Sequence, residues 1–332
     1  MTKSATGSTV PLAALAVTLA VLHVPSAWAA ANKVWVANNG TDSPTCGDTS
    51  SPCRAFPQAL TNVAAGGEIG VLTPGDYQGG NTIIMKSVSI TNDGAGEASL
   101  ISPNGLDAVT INTGVGDIVS LRGLVMDGLG TGRHGVFIFN GSQGSALHIQ
   151  NCVIRNFEGT TSASGIQFES TSNMQLFVSD TIIFNNGSVA GTGGIVLRPG
   201  NTVKVVLDRV HLENNVIGLR ADGRVSSGNG ARVVIRDSAV SGNASDGILA
   251  ISQAGAGPAF ILAEHTSSVY NLGIGIHANG PHATILLDDN VITQNGTGVL
   301  AEAGGQLISY GNNKNNNNIG PEGAPTGFYS QM

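Results

Sequence analysis

The side chains best suited to chemistry in this chain are two carboxylates and two arginines that follow short glycine-led segments. Glu169, Arg198 and Asp222 each stand four positions after a glycine, and Arg220 stands two positions after one. Carboxylate and guanidinium groups form strong charge-assisted hydrogen bonds, and a carboxylate can also exchange a proton with a substrate. If the glycines stack, residues at equal distances from them come together. The spacing therefore predicts one polar site built from several repeats.

Other residues at the same two positions extend this candidate site. His277 stands two positions after a glycine, as Arg220 does, and is a further candidate for acid–base catalysis. Aromatic rings offer flat faces for stacking, and side-chain amides both donate and accept hydrogen bonds. The residues of these types that we expect to contact a substrate are Phe137, Phe139, Gln167 and Asn279.

The glycines that position these residues belong to an internal repeat. Seven times a glycine leads into an apolar–variable–apolar triplet, with 30, 29, 24, 29, 28 and 23 residues between successive glycines. These glycines are Gly135, Gly165, Gly194, Gly218, Gly247, Gly275 and Gly298. Such a period is typical of a solenoid, in which each unit buries its apolar side by stacking on its neighbours. Strand alternation then turns the variable residue outward.

Each repeat contains further short apolar segments after the triplet. Residues 203–207 form a second segment of one repeat, and 291–292 form a third segment of another. Three short strands per coil, separated by turns, generate three parallel sheets. We predict an all-β fold, a right-handed single-stranded parallel β-helix of about nine or ten coils with three parallel sheets.

The start of the repeat region resembles the right-handed parallel β-helix proteins of the pectin-lyase-like fold. The resemblance is carried by an Ile-x-Val-x-x-Pro-Gly-x-Tyr segment, formed by Ile69, Val71, Pro74, Gly75 and Tyr77, and by Lys86 to Ile90 (Lys-Ser-Val-Ser-Ile). It covers roughly residues 33–318 and implies an active cleft along one parallel sheet. The family includes lyases, hydrolases, epimerases and adhesins, so the resemblance implies a fold and leaves the activity open.

A column of asparagines recurs near the end of each coil. Asn156, Asn185, Asn214, Asn243, Asn271 and Asn295 are separated by 29, 29, 29, 28 and 24 residues. Asn tolerates left-handed backbone and bonds turn groups, so these residues predict a structural ladder between coils. The neighbours Asn186 and Asn215 leave the register open by one residue.

The segments outside the repeats predict a leader, a cap and a tail. Residues 1–31 contain an apolar run and a small-residue motif and are predicted to be a cleaved signal peptide. Residues 32–66 form an N-terminal cap with a short helix at Phe56, Leu60 and Val63 and a disulfide-closed loop between Cys46 and Cys53. The β-helix then spans 67–318, and a C-terminal tail spans 319–332.

Composition and charge narrow the class of partner. The net charge is −7, and no basic run appears, which argues against nucleic-acid binding. Nothing after the leader resembles a transmembrane helix, and cysteine usage fits an oxidising compartment. We therefore expect a secreted or periplasmic monomer that is not an integral membrane protein.

The acidic residues do not predict a cofactor. A zinc site would need a Cys/His cluster, and a calcium site would need several converging carboxylates. Neither pattern is evident, and calcium at Glu169 and Asp222 is the one weakly indicated metal. Asp180, Asp237 and Asp289 share a coil position near a turn, where Asp serves local hydrogen bonding. We interpret them as structural.

Two functions remain open. The leading hypothesis is binding or processing of an extracellular polysaccharide along the triplet sheet, by a lyase or glycoside hydrolase if the protein is an enzyme. The alternative is a non-catalytic surface or matrix scaffold, akin to an adhesin. A concave site walled by residues 140–145, 186–193 and 222–230 would favour the first, and a flat sheet of paired charges would favour the second.

Overall fold

Short parallel strands wind the chain into an all-β solenoid of nine coils. The computed structural model describes residues 1–3, 30–78, 81–141 and 143–330. Every strand pairs in parallel with the equivalent strand of the next coil, so the predicted fold and coil number are confirmed. The predicted signal peptide lies almost wholly outside the described residues. No helix among the described residues is long and apolar enough to cross a membrane.

Three sheets run along the solenoid. The first, which contains the glycine-led triplets, has the strands Thr82–Ile84, Asp107–Ile111, His134–Ile138, Ser164–Phe168, Gly193–Leu197, Ile217–Asp222, Ile248–Ile251, Ile274–Asn279 and Thr297–Glu302. The second has Ala31–Val36, Val63–Val71, Val88–Thr91, Ile118–Arg122, Ser145–Gln150, Gly230–Arg236, Ala259–Glu264, Ala283–Asp288, Gln306–Ser309 and Gly327–Phe328. The third has Gly75–Asp76, Ala98–Ile101, Leu124–Asp127, Val153–Arg155, Ala239–Ser241, Ser267–Val269, Val291–Thr293 and Lys314–Asn315. Two long strands, Met174–Phe184 and Thr202–Glu213, pass from the second sheet into the third.

One continuous apolar core fills the solenoid. Each coil contributes inward Val, Ile and Leu side chains, such as Ile166, Leu219 and Ile276, which are almost fully buried. Burial of such a side chain contributes about 1.5–3 kcal/mol. The stacking of identical inward columns therefore holds successive coils in register.

The glycine of each triplet is required by crowding inside the solenoid. A Cβ atom on Gly218 would lie 2.6 Å from the carbonyl oxygen of Gly247 and 2.5 Å from Val240 Cγ1. At Gly275, a Cβ atom would lie 2.7 Å from the side-chain amide of Asn295. These separations are far below van der Waals contact, so a larger residue would push the strand away from the neighbouring turn.

The asparagine ladder is present, with a register that differs by one residue in three coils. The backbone N–H of Asn186 donates to Asn215 Oδ1 at 3.0 Å, and the same bond links each later pair at 2.9–3.2 Å. The ladder is buried except at its partly exposed last member, and it consists of Asn186, Asn215, Asn243, Asn271, Asn295 and Asn318.

The other predicted ladder residues occupy the preceding position. Asn156, Asn185 and Asn214 adopt left-handed backbone, with φ of 61°, 54° and 53°. The turn needs one left-handed residue followed by one inward amide, and Asn suits both places. Adjacent asparagines therefore hid the register, and these three residues belong to the turn and not to the buried ladder.

Both ends of the solenoid are covered. At the N-terminus, the helix Phe56–Asn62 buries Phe56 and Leu60, and the predicted disulfide between Cys46 and Cys53 is confirmed. At the C-terminus, the tail folds over the last coil, where Val299 N–H donates to the carbonyl oxygen of Glu322 at 2.8 Å. The described part of the tail thus closes the apolar end.

Candidate functional site

The outward residues of the first sheet form two columns. Successive coils pair residue by residue, so that Gln167 neighbours Val196, which neighbours Arg220. The first column contains Phe137, Gln167, Val196, Arg220, Leu249, His277 and Leu300. The second column, two residues further along each strand, places Asp222 beside Ile251, Asn279 and Glu302 in successive coils. The predicted inward and outward alternation is therefore present, although Gln167, Val196, Leu249 and His277 of the first column are themselves buried.

Asp222 is the centre of an arginine cluster. Its side chain is only 1% exposed, and it accepts hydrogen bonds from Arg220 Nη2 at 2.6 Å and from Arg224 Nε at 2.9 Å. Arg198 Nε lies 3.7 Å from the same carboxylate. Burial opposes ionisation of Asp222, but the hydrogen bonds from Arg224 and the charge of Arg220 outweigh it and lower the pKa of Asp222. We call Asp222, Arg198, Arg220 and Arg224 the arginine cluster.

Arg220 is the buried member of the arginine cluster. Its side chain is 11% exposed, and Nη1 donates to the carbonyl oxygen of Gly191 at 2.7 Å. Burial lowers the pKa of Arg220, against the opposing charge of Asp222. The loop that contains Gly191 is one of those expected to wall the site, and Arg224 lies in another, so both reach the cluster.

Glu169 and Arg198 form the open edge of the site. Their charged atoms are 3.7 Å apart, and their side chains are 39% and 41% exposed. Gln167 Nε2 donates to Glu169 Oε1 at 2.9 Å. The structure therefore brings together the predicted residues Gln167, Glu169, Arg198, Arg220 and Asp222, and with Arg224 the site holds three cations and two anions.

Aromatic residues lie beyond this edge. The rings of Phe137 and Phe139 are 5.6 Å apart, and the Arg133 guanidinium lies 5.3 Å from the Phe137 ring. Beneath them, buried Asp107 binds both Arg133 and His134, whose ring stacks on Phe137 at 4.8 Å. Burial raises the pKa of Asp107, but these two partners outweigh burial and lower it overall. The pair Asp107 and Arg133 was not predicted, because both residues precede the alternating part of their strands.

His277 belongs to a separate cluster. Its Nδ1 lies 2.8 Å from Asp246 Oδ2 and its Nε2 lies 3.2 Å from Glu302 Oε1, which also accepts from Asn279. Burial lowers the pKa of His277, but the two carboxylates, Asp246 foremost, outweigh burial and raise it overall. We call Asp246, His277, Asn279 and Glu302 the histidine cluster.

The two clusters are kept apart by aliphatic residues. Leu249 and Ile251 lie on the one coil between the two clusters. Arg220 and His277 are therefore two coil-to-coil steps apart, or about 10 Å. The structure therefore does not join His277 to Glu169, Arg198, Arg220 and Asp222. The sequence did not predict Asp246 and Glu302 as partners of His277, because Asp246 lies in a turn and Glu302 lies at the end of the last strand of the first sheet.

Arg224 was also missed by sequence reasoning. It follows the strand, and strand alternation says nothing about where a turn residue points. The alternating Arg-x-Asp-x-Arg run of Arg220, Asp222 and Arg224 is the signal that could have found it.

The carboxylates of the site do not form a calcium cage. Both oxygens of Asp222 accept from arginines, and Glu169 faces Arg198. Calcium requires six to eight oxygen ligands, which this cation-rich surface does not offer. Among the described residues, the His, Cys and carboxylate groups that converge closely are Asp42, Cys46 and Cys53, and these two cysteines form the disulfide.

The acidic column near the turn has a structural basis. Asp180, Asp237 and Asp289 all adopt left-handed backbone, with φ of 50°, 49° and 47°. Asp180 also accepts from Arg209 Nε at 2.7 Å on the next coil. This geometry is what a turn requires of Asp, and it supports the structural interpretation.

The fold is shared with solved polysaccharide lyases. An alginate lyase from Paenibacillus sp. str. FPU-7 superposes with a TM-score of 0.53 at 13% identity, covering 82% of this chain and 94% of that one. Pectate lyase Pel9A superposes with a TM-score of 0.57 at 13% identity, covering 90% and 80%. No protein-family model and no curated sequence matches the chain. At this identity the similarity establishes a lyase-like parallel β-helix fold.

Proposed function

We propose that this chain is an exported protein that binds an acidic polysaccharide along the outer face of the first sheet and processes the bound polymer. The arginine cluster carries the proposal. Three guanidinium groups surround one buried carboxylate, so the site has surplus positive charge on a chain whose net charge is −7. Arginine pairs with carboxylates in two-point geometry, which suits the uronate groups of such a polymer.

Each part of the surface has a role in this proposal. Arg198 and Arg224 keep partly exposed guanidinium groups that can contact a uronate, while Asp222 and Arg220 fix their positions. Phe139 is exposed and, with Phe137, offers ring faces on which a sugar can stack. The fold similarity to two polysaccharide lyases supports the same substrate class, and the disulfide supports an oxidising location.

Binding to a set of polymers tests the proposal. We expect alginate or polygalacturonate to bind, with a neutral glucan bound at least about tenfold more weakly. Arg198→Ala should weaken polyuronate binding by about tenfold, or about 1.4 kcal/mol. The matched control is Arg236→Ala, because Arg236 is similarly exposed and also faces an aspartate, Asp208, but lies on the second sheet. Equal affinity of the two variants, or no binding by the wild type, would contradict the proposal.

The scaffold alternative is favoured by one observation. Arg198 and Glu169 are partly exposed and face each other across an open sheet, as in a solvated ladder of paired charges. A scaffold would leave polymer viscosity and chain length unchanged after long incubation, even where binding occurs. Accumulation of shortened, unsaturated chains would assign a lyase activity.

A further inference from the structure

The second sheet presents an uninterrupted apolar column to the outside. In six successive coils, the central outward position holds an aromatic or aliphatic residue, and each is partly exposed. We call Phe177, Val206, Val234, Leu262, Leu286 and Ile308, which pair in register, the apolar stripe. His148 extends the stripe by stacking on Phe177 at 4.7 Å.

This pattern differs from that of a solvated sheet. A sheet with one face in water alternates apolar residues inward with polar residues outward. The first sheet follows that rule only in alternate coils, since Gln167, Arg220 and His277 in its outward column are separated by the apolar residues Val196 and Leu249. Six consecutive apolar residues on the second sheet break it. A contiguous, partly exposed apolar column of this kind is typical of an interaction site.

Charged residues of opposite sign flank the apolar stripe. On the side where the strands begin, Lys204 and Arg232 are exposed and give a charge of +2. On the side where the strands end, the outward charged residues are Asp208, Arg236, Glu264 and Asp288, with a sum of −2. The apolar stripe therefore lies between one basic edge and one acidic edge.

We propose that the apolar stripe is covered by the same stripe of a second copy of this chain. A two-fold axis parallel to the solenoid places the basic edge of each copy against the acidic edge of the other. A two-fold axis across the solenoid would instead oppose edges of like charge. The charge pattern therefore selects a dimer in which the two solenoids run in the same direction.

The size of the face is sufficient for a specific contact. Three outward columns over six coils provide about eighteen positions, each covering about 32 Å² at normal strand spacing. The dimer would bury about 600 Å² per copy, or about 1,200 Å² in total, the lower end of the range for specific interfaces. A concentration-dependent dimer follows, in place of the monomer expected from the sequence.

Sedimentation equilibrium of the purified protein tests this proposal. We expect the wild type to shift from monomer to dimer between low and high micromolar concentrations, and Leu262→Lys to raise the dissociation constant at least about tenfold. The control is Val269→Lys, which also replaces an aliphatic residue by lysine. Val269 is partly exposed on the outward side of the third sheet, away from the apolar stripe. Circular dichroism melting confirms that both variants are folded.

Several results would overturn the dimer. They are a monomeric wild type at all concentrations, an unchanged dimer in Leu262→Lys, and equal weakening by Val269→Lys. A second variant, Lys204→Glu with Arg232→Glu, reverses the basic edge and should weaken association more at low salt than at high salt. Absence of any such salt dependence would refute the parallel arrangement. Polyuronate binding that falls in Leu262→Lys without a change in mass would assign the stripe to a glycan.

Discussion

The arginine cluster and the histidine cluster lie on one face of the same sheet and are built in opposite ways. In the first, one buried anion, Asp222, gathers three cations. In the second, one buried imidazole, His277, lies between two carboxylates. With the imidazole protonated, the first has surplus positive charge and the second surplus negative charge. The comparison teaches that the same backbone repeat can hold clusters of opposite charge, because the outward strand residues and the turn residues Arg224 and Asp246 set the local charge.

The opposite construction gives the two clusters opposite pH dependence. The folded pKa of Asp222 is below its ordinary value of 3.8, so its contribution to stability is complete above 3.8 and is lost as the pH falls through the folded value. The folded pKa of His277 is above its ordinary value of 6.5, so its contribution is complete below 6.5 and is lost as the pH rises through the folded value. Between these limits both clusters stabilise the fold.

The largest expected effect is the loss of the buried anion. Asp222→Ala should lower the free energy of unfolding by about 3–5 kcal/mol, because Arg220 then stays buried without its counter-charge. The matched change in the histidine cluster is Glu302→Ala, which should cost under about 1 kcal/mol since Glu302 is 47% exposed. Urea unfolding monitored by circular dichroism measures both. Similar losses in the two variants would remove the distinction between a buried and an open cluster.

An intermediate effect is expected from removing the titrating group. His277→Gln should lower stability by about 1.5–3 kcal/mol at pH 5, the contribution of a hydrogen bond to a charged partner. The difference from the wild type should shrink as the pH rises above 6.5. Melting temperatures from pH 5 to pH 9 provide the measurement, with His211→Gln as the control because His211 is exposed beside a single glutamate. A constant difference across this range would show that His277 acts by packing.

The smallest effect concerns polymer binding. Glu302→Gln removes one negative charge from the histidine cluster while preserving its shape, so polyuronate affinity should rise about twofold at low salt and less at high salt. Titration calorimetry at two salt concentrations measures it. Unchanged affinity would mean that the polymer does not extend from the arginine cluster to Glu302.

Much of the fold and part of the site could be predicted from the sequence. The glycine-led triplets predicted which residues face outward, because strand alternation is fixed by backbone geometry. Glu169, Arg198 and Asp222 were therefore placed together correctly, and His277 was placed on the right face.

The parts that escaped prediction lie where alternation does not hold. Arg224 and Asp246 are in turns, and a turn residue has no fixed direction relative to the sheet. The ladder register was ambiguous for Asn185 and Asn186 because the two adjacent turn positions both favour Asn. Side-chain burial also escaped prediction: Asp222 is buried at the centre of its cluster, whereas Glu302 is partly exposed at the edge of its own. Burial depends on how neighbouring loops pack, which one sequence does not specify.

The asparagine ladder also gives the solenoid a net dipole along its long axis. Every backbone N–H of the ladder points from one coil to the next toward the C-terminus, so these bond dipoles add, whereas those of the sheets largely cancel. The positive end falls at Asn318, whose N–H and side-chain amide both donate to the carboxylate of Glu322. The folded tail thus acts as a counter-ion for the whole column, as an acidic residue does at the first turn of an α-helix.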